Sequence, residues 1–221
     1  MTNSPPLCSL VLPCRDEAAA LEALVPRIPR DIDVVVVDNG SRDATAATAQ
    51  RLGARVVTET TPGYGAAVHA GILAARGELV AVMDGDGSFD PADLQPLIEA
   101  VSADRCDLAV GRRRPRQRGV WPWHARVGNR LVVGILRRRG FPARDIAPMR
   151  VCRRDALVGL DVEDRRFGYP VELLWRATQA GWRISEYDVT YHPRAEGTRS
   201  KVSGSVMGTI RTARDFYRVL A

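Results

Sequence analysis

Residues 33–38 read DVVVVD, and residues 79–88 read LVAVMDGDGS. Each segment is a short apolar run that ends in acidic and polar residues. Continuous apolar runs of this length are typical of strands buried on both faces, as in parallel sheets. The two segments therefore predict buried parallel strands, and they place the acidic residues at the carboxyl ends of those strands.

Further apolar runs alternate with helix-like segments through the first half of the chain. Strands are predicted at residues 9–12, 33–37, 55–57, 79–83 and 107–110. Helices are predicted at residues 16–27, 43–52, 65–75 and 91–101. This alternation predicts an α/β fold with a mostly parallel central sheet flanked by helices.

The second half of the chain has a less regular pattern. It is predicted to contain a charged loop at 112–118, a helix at 124–139, a strand at 146–152, a helix at 169–180, a strand at 183–189, a polar loop at 194–205 and a closing helix at 202–220. No segment resembles a linker between independent domains. We therefore expect a single domain over residues 1–221.

The composition limits the class of protein. The 221 residues carry a formal net charge of +6, nearly all from arginine, which indicates an anionic partner such as nucleic acid, a membrane surface or a phosphorylated small molecule. The four cysteines have no metal-ligand spacing and are expected to be reduced thiols. The sequence has no signal-peptide pattern and no apolar run long enough to cross a bilayer. We expect a cytoplasmic protein, with a peripheral contact at the inner membrane face left open.

Three polar segments follow predicted strands, at the point where each strand ends. They are residues 13–17 (PCRDE), 38–41 (DNGS) and 84–88 (DGDGS). In open parallel sheets, ligands bind outside the carboxyl ends of the strands. The convergence of these segments predicts a binding site at this edge of the sheet.

Asp84 and Asp86 lie two residues apart in a glycine turn. Carboxylates this close repel each other unless a cation joins them, and Mg²⁺ or Mn²⁺ prefers such ligands while keeping positions open for substrate phosphates. The alternative is a solvated acidic turn, but the buried strand before it and Asp38 in the matching position favour a metal site. Asp38 itself either accepts a hydrogen bond from a nucleotide base or ribose, or it closes an Asx-turn or caps a helix.

The chain resembles the family-2 glycosyltransferases of the GT-A type through ordered motifs: LPCRDE (12–17), VVVVDNGSRD (34–43), PGYGAAVHAGILAARGELVAVMDGDGSFDP (62–91) and AVGRRR (109–114). It is similar to a bacterial subgroup of the dolichyl- and polyprenyl-phosphate sugar transferases through GYPVELLWRA (168–177) and GTRSKVSGSVMGT (197–209). The resemblance covers nearly the whole chain. It implies a GT-A-type fold in which residues 1–111 bind a nucleotide-sugar donor and residues 112–221 form the acceptor side.

The resemblance implies roles for individual residues on the donor side. The positions that correspond to nucleotide-sugar contacts are Pro13, Arg15, Asp16, Glu17, Asp38, Gly65, Asp84 and Asp86. Asp84 and Asp86 correspond to the ligands of Mg²⁺ or Mn²⁺, Ser88 takes the place of a further ligand, and Asp86 is also a catalytic position. The family often has Asn-Glu-Glu at positions 15–17 and Asp-Asp at positions 38–39, so both uracil and guanine stay open as the base.

The resemblance also implies phosphate-binding residues on the acceptor side. Arg112 and Arg126 correspond to catalytic arginines that hold the phosphates of donor and acceptor, and guanidinium groups suit this because they bind phosphate oxygens in pairs. A basic loop that closes on phosphates corresponds to Arg199, Ser200 and Lys201. Glu172 is a candidate for a general base or for a group that orients an arginine. It could equally be a carboxylate that stabilises a helix N-terminus.

Eleven arginines and no acidic residue lie between positions 112 and 144. On a helix, Arg126, Arg130 and Arg137 share one stripe. The apolar residues on the other side are Val127, Leu131, Val132, Ile135 and Leu136. Such a helix, preceded by Trp121 and Trp123, is typical of membrane-surface or phosphate binding; the alternative is a solvated face over an ordinary core helix. Nucleic acid is not expected, because no recognition motif accompanies the charge.

These observations predict a metal-dependent inverting glycosyltransferase that moves a hexose from a UDP- or GDP-sugar to a polyprenyl phosphate at the membrane surface. A lipid phosphate is already anionic and needs little or no base, whereas a soluble hydroxyl acceptor would need one, with Glu172 as the candidate. Two other classes stay open. One is a sugar-nucleotide nucleotidyltransferase, which is disfavoured because residues 12–15 (LPCR) replace a glycine-rich loop. The other is a non-catalytic nucleotide-sugar-binding scaffold.

Overall fold

The computed structural model describes residues 5–117, 119–142 and 144–195. The strands in this part of the chain are β1 (Cys8–Cys14), β2 (Asp33–Asp38), β3 (Arg55–Thr58), β4 (Leu79–Val82), β5 (Leu108–Pro115), β6 (Arg150–Arg153) and β7 (Ile184–Tyr191). The α-helices are α1 (Ala18–Leu24), α2 (Thr45–Arg51), α3 (Tyr64–Ala74), α4 (Leu94–Ser102), α5 (Trp123–Arg138), α6 (Arg154–Gly159) and α7 (Tyr169–Gln179). Short 3-10 turns lie at Val25–Arg27 and Pro91–Asp93.

The strands form one sheet in the order β3-β2-β1-β4-β6-β5-β7. β1 pairs in parallel with β2 and β4, β2 pairs in parallel with β3, and β5 pairs in parallel with β7. β6 runs antiparallel between β4 and β5. The prediction of a mostly parallel central sheet flanked by helices is confirmed.

Successive residues of a strand point to opposite faces of the sheet. A layer of helices covers each face. On one face, Leu10 of β1 belongs to the same buried cluster as Leu21 of α1. On the other face, Val11 belongs to a cluster that includes Ile72 of α3 and Leu174 of α7. β1 is thus buried on both sides, which explains why its apolar residues are continuous rather than alternating.

Strand β5 is longer than predicted, which corrects the assignment of residues 112–118 to a charged loop. It continues to Pro115 because it pairs with β7 along its whole length. Arg112 forms ion pairs with Glu186 and Asp188 of β7, and Arg114 pairs with Asp188. The positive charges of Arg112 and Arg114 are therefore compensated by the neighbouring strand, and these arginines are compatible with a sheet.

Other boundaries also differ from the prediction. α1 begins at Ala18, after Asp16 with a positive φ of 53°, and gives way to a 3-10 turn that contains Pro26. The strand predicted at 146–152 is shorter and corresponds to β6, and the helix α6 that follows it directly is absent from the prediction. The closing helix at 202–220 and the loop at 194–205 beyond Ala195 lie outside the described residues.

Helix α5 agrees with the helix predicted at 124–139, but its apolar side chains divide between two directions. Leu136 is fully buried in a cluster that includes Leu108 and Val110 of β5, and Asn129 and Val133 are the other buried residues of the helix. In contrast, the side chains that remain 44, 65 and 42% exposed are Val127, Leu131 and Ile135. These three residues therefore do not belong to the core. Over the described ranges, no helix is long and apolar enough to span a membrane.

Gly71 lies where α3 passes very close to the sheet. A Cβ at this position would come within 2.3 Å of Val11 Cγ1 and 2.9 Å of Val37 Cγ2. We therefore expect Gly71→Ala to lower the free energy of unfolding by about 1–3 kcal/mol, because the added methyl group overpacks the interface. The matched control is Gly128→Ala on α5, where no atom lies within 4 Å of the added Cβ and alanine should be stabilising by about 0.5–1 kcal/mol. Urea unfolding measures both, and equal stabilities would contradict the close approach.

Candidate active site

Hydrogen bonds connect the loops that follow β1 and β2 at the carboxyl edge of the sheet. The backbone N–H of Asp16 donates to Ser41 Oγ (3.0 Å), and that of Glu17 donates to Thr45 Oγ1 (2.9 Å). Within the second loop, Ser41 N donates to Asp38 Oδ1 (3.0 Å), so the Asp38 side chain caps the loop three residues on, as the turn chemistry of this segment allowed. This contact uses one oxygen of Asp38, and the nucleotide contact of this residue stays a prediction.

Asn39 fixes the segment that leads into α3. Its side-chain amide donates to the carbonyl oxygens of Glu59 (2.9 Å) and Thr61 (2.8 Å) and accepts from Gly63 N (2.9 Å). Asn39 is buried, although it follows a strand end where turn chemistry would predict solvent exposure. No role was predicted for Asn39 from the sequence. The one signal was its position, because the family often has a second aspartate there.

Asp84 and Asp86 form the turn directly after β4. Asp86 is buried, accepts a hydrogen bond from Ser88 N at Oδ1 (3.0 Å) and pairs through Oδ2 with Arg194 Nε (2.8 Å). Ala195 N donates to the Asp86 carbonyl oxygen (3.1 Å). The segment after β7 therefore lies across the turn and brings a cation to it.

The electrostatic environment of the turn is set by two carboxylates and several arginines. Burial, followed by the negative charge of Asp86, raises the pKa of Asp84 to about 6. The positive charges of Arg194, Arg113 and Arg150 act in the opposite direction. Burial and Asp86 thus disfavour the ionised form of Asp84, whereas the arginines from other elements favour it.

The donor set at this turn fits a divalent cation that is shared with a diphosphate. The described part of the chain holds no group of three or more His, Cys, Asp or Glu side chains that could bind a metal alone. Asp84 and Asp86 supply two hard oxygen ligands. The Ser88 hydroxyl is buried with no hydrogen-bond partner among the residues described. Mg²⁺ and Mn²⁺ suit such a partial set because they keep positions for phosphate oxygens and water.

Arg113 is a half-buried cation that the sequence interpretation did not single out. Its guanidinium group makes a bidentate contact with Asp145 (2.6 and 3.0 Å), reaches Asn129 Oδ1 (3.3 Å) and stacks on Trp121 at 4.0 Å from the ring centroid. Its charge acts on Asp84. The alternation of side chains along a strand could have revealed it, because neighbouring arginines of β5 must face opposite sides of the sheet.

The two predicted phosphate-binding arginines lie on β5 and α5. Arg112 is engaged by Asp188 (2.9 Å) and Glu186 (3.5 Å) of β7. Arg126 is exposed on α5. In the ranges that the structure describes, no recorded contact joins either residue to Asp84 or Asp86, so their phosphate roles stay predictions. Arg199, Ser200 and Lys201 lie outside these ranges.

The remaining predicted donor residues lie around the turn and the first loop. Pro13 is half-buried near the end of β1, and Arg15 is exposed in the loop that follows. Gly65 is buried in the first turn of α3. A Cβ at Gly65 would come within 2.6 Å of the Asp164 carbonyl oxygen, so the helix start is in close contact with the loop before α7.

Glu172 holds that loop in place. It is buried on α7, and its two oxygens accept the backbone N–H groups of Glu163 (3.0 Å) and Asp164 (2.7 Å) while pairing with Arg176 Nε (2.6 Å). The carbonyl oxygens of residues 165 and 166 in this loop accept from the first N–H groups of α3. In this geometry Glu172 anchors the loop and pairs with Arg176, and its predicted roles in the chemistry stay predictions.

Arg150 of β6 is an unusual buried cation near Asp84. Its side chain is almost fully buried, and Nε and Nη2 have no hydrogen-bond partner within the described residues. It lies opposite Val82, the last residue of β4. Its charge therefore lies close to the start of the two-aspartate turn, where it favours the ionised form of Asp84.

A mostly parallel sheet with a two-aspartate turn after its fourth strand is the arrangement expected of a glycosyltransferase of the GT-A type. Residues 9–158 match the family model described as Glycosyl transferase family 2, and the chain belongs to this family of enzymes. An uncharacterised glycosyltransferase of Mycobacterium tuberculosis is 52% identical over 214 residues, which cover 96% of this chain and 97% of the relative.

Two further comparisons extend this result. Polyprenol monophosphomannose synthase of Mycolicibacterium smegmatis is 34% identical over 216 residues, which cover 89% of this chain and 81% of that protein. The solved structure of glucosyl-3-phosphoglycerate synthase from Mycobacterium tuberculosis, in complex with Mn²⁺, UDP and glucosyl-3-phosphoglycerate, aligns with a TM-score of 0.73 at 21% identity. That alignment covers 97% of this chain and 78% of the other chain and confirms the fold.

The contacts of Glu172 give a prediction that separates a structural role from a catalytic one. We expect Glu172→Gln to lower the free energy of unfolding by about 1–3 kcal/mol, because a buried carboxylate loses charge-assisted hydrogen bonds, and to change kcat less than about tenfold. Glu163→Gln is the control, since Glu163 also pairs with Arg176 but is exposed and should change stability by at most about 0.5 kcal/mol. Urea unfolding and turnover are measured together. Unchanged stability with a collapse of kcat would assign Glu172 to the chemistry.

Proposed function

We propose that this protein is a metal-dependent inverting hexosyltransferase that moves a sugar from a UDP- or GDP-sugar to a polyprenyl phosphate. It acts as a peripheral protein at the inner membrane face. Asp84 and Asp86 hold a Mg²⁺ or Mn²⁺ ion on the donor diphosphate, and Asp38 contacts the nucleotide. This assignment is supported by the donor set of the two-aspartate turn and by the Mn²⁺ and UDP bound to glucosyl-3-phosphoglycerate synthase.

The observation that carries the acceptor class is that three arginines act on the turn while Glu172, the candidate base, is already engaged. Arg113, Arg150 and Arg194 all act on Asp84, and arginine cannot accept a proton at physiological pH. The carboxylate of Glu172 is already engaged by two backbone N–H groups and an arginine. An acceptor that arrives ionised needs no base, and an anion is attracted by these cations. A phosphate meets both conditions.

In the proposed reaction, an oxygen of the acceptor phosphate bonds to the anomeric carbon from the face opposite the diphosphate. The bond between that carbon and the diphosphate oxygen breaks, and its electron pair leaves with the nucleoside diphosphate. No proton has to move. A divalent cation, when bound, offsets the charge that grows on the leaving group. Arg113 and Arg194 add positive charge at the same edge, and the pairing of Arg113 with Asp145 keeps its guanidinium group in a fixed position.

The lipid part of the acceptor is supported by the relatives. The polyprenol monophosphomannose synthase of Mycolicibacterium smegmatis and an undecaprenyl-phosphate mannosyltransferase of Micrococcus luteus, 30% identical over 223 residues, both carry a lipid phosphate in their names. The name of glucosyl-3-phosphoglycerate synthase instead favours a soluble phosphorylated acceptor as the second candidate. Both acceptors contain a phosphate, which agrees with the cationic site.

The metal site is tested with Asp86→Ala. We expect this variant to release nucleoside diphosphate at least about 100-fold more slowly than the unaltered protein, because a preorganised electrostatic contribution to the leaving group is lost. We also expect Mn²⁺ to stop enhancing its thermal stabilisation by UDP or GDP. Asp90→Ala is the matched control, since Asp90 pairs with Arg27 and caps the following 3-10 turn. Turnover of Asp86→Ala equal to that of the control would exclude the metal role.

The reaction class is tested by the products from radiolabelled UDP- and GDP-hexoses with Mn²⁺. With polyprenyl phosphate as the acceptor, we expect a lipid-linked hexose together with UDP or GDP. Label on phosphoglycerate alone would replace the lipid acceptor with the soluble one. Pyrophosphate as the product would indicate a nucleotidyltransferase. A thermal shift with a nucleotide-sugar but no product would indicate a nucleotide-sugar-binding scaffold.

A further inference from the structure

Helix α5 presents an apolar stripe to solvent. Its members are spaced four residues apart, so that they follow one another along one side of the helix. They are Trp123, Val127, Leu131 and Ile135. Trp123 is 76% exposed, which is the largest value in the stripe. Isolated exposed apolar residues are ordinary, but a row of four on a single helix marks an interaction surface.

The polar residues beside the stripe carry only positive charge. Arg126, Arg130 and Arg137 are exposed along one edge of it, and Arg138 is exposed next to Leu131 in projection. The sequence contains no Asp or Glu from position 116 to 144. The partner of this face must therefore offer both an apolar phase and negative charge.

A bilayer that contains anionic lipids meets both requirements. Helices that lie in the membrane interface bury an apolar face among the acyl chains and direct arginines to lipid phosphates, and tryptophan is favoured at that depth. We propose that the stripe of α5, defined as residues 123, 127, 131 and 135, docks on an anionic membrane surface. Arg126, Arg130 and Arg137 contact lipid phosphate groups along its edge.

The inner side of the same helix is connected to the candidate site. Asn129, on the buried side of α5, accepts hydrogen bonds from Arg113 (3.3 Å) and from Ile146 N (3.1 Å). Arg113 in turn acts electrostatically on Asp84. Docking of α5 therefore sets the position of Arg113 relative to the bilayer. This consequence rests on the proposed function. The docking surface deepens that function, which acts at the inner membrane face, and it is argued from the exposed side of α5 alone.

The apolar part is tested with Leu131→Gln in flotation with vesicles of phosphatidylcholine and phosphatidylglycerol. We expect at least a tenfold loss of vesicle affinity, because a leucine side chain no longer enters the apolar phase. The matched control is Leu73→Gln on α3, since Leu73 is 51% exposed and lies outside the stripe. Its affinity should equal that of the unaltered protein. Equal affinity of the two variants would overturn the proposal.

The charged part is tested with the double variant Arg130→Gln/Arg137→Gln. We expect roughly a 30-fold loss of affinity for the anionic vesicles at low salt, and little binding of any form to phosphatidylcholine alone. The control is Arg30→Gln/Arg105→Gln, which removes the same net charge from exposed positions far from α5 in sequence. Equal losses in the two double variants would show that only the overall charge matters and would contradict a defined docking face.

Further measurements separate this proposal from the proposed function. Leu131→Gln should leave the melting temperature, the oligomeric state and the stabilisation by nucleotide with Mn²⁺ unchanged. A lower melting temperature or a changed oligomeric state, with unchanged vesicle affinity, would show that protein covers the stripe and would overturn docking. Specific vesicle binding without a lipid-linked product would leave docking standing and remove the lipid acceptor. Formation of a lipid-linked product, with vesicle binding unchanged in every variant, would leave the lipid acceptor standing and overturn the docking.

Discussion

Two carboxylates stand next to each other at the end of a buried strand, and the rest of the site compensates for their charge. Burial and the neighbouring Asp86 both disfavour ionised Asp84 and raise its pKa to about 6. Arginines from three other elements oppose this. Arg194 after β7 pairs with Asp86 at 2.8 Å, while Arg113 of β5 and Arg150 of β6 act on Asp84. The position of β6, antiparallel between β4 and β5, brings these elements to the turn.

The second half of the chain holds those cations in fixed positions. Arg113 is enclosed by Asp145, Asn129 and Trp121, which come from three different segments. A guanidinium group that is already oriented loses little conformational entropy when it binds a phosphate. The exposed side of α5 has the opposite character, since it is apolar and cationic without partners in the core. One helix thus serves both the interior of the site and a surface.

The sequence predicted the strands of the first half well, because burial on both faces demands continuous apolar runs such as residues 33–37. It also predicted the two-aspartate turn, because this turn directly follows such an apolar run at residues 79–83. It did not predict that β5 extends through its arginines, since the compensating carboxylates belong to β7, which is distant in the sequence. Arg112 was named from the family resemblance, and its phosphate role stays a prediction. The enclosure of Arg113 was not predicted, because Asp145 and Asn129 are distant from it in the sequence. Only tertiary contacts show that Glu172 is engaged and that Leu131 is exposed.

The central claim is that the turn at Asp84 and Asp86 joins a divalent cation to the donor diphosphate. The most direct measurement is an anomalous difference map from crystals grown with Mn²⁺ and UDP or GDP. We predict one manganese peak beside Asp86 that also contacts the diphosphate, with Arg113 or Arg194 within hydrogen-bond distance of the phosphates. A bound nucleotide with no manganese at this turn, and with Arg194 still paired to Asp86, would contradict the claim.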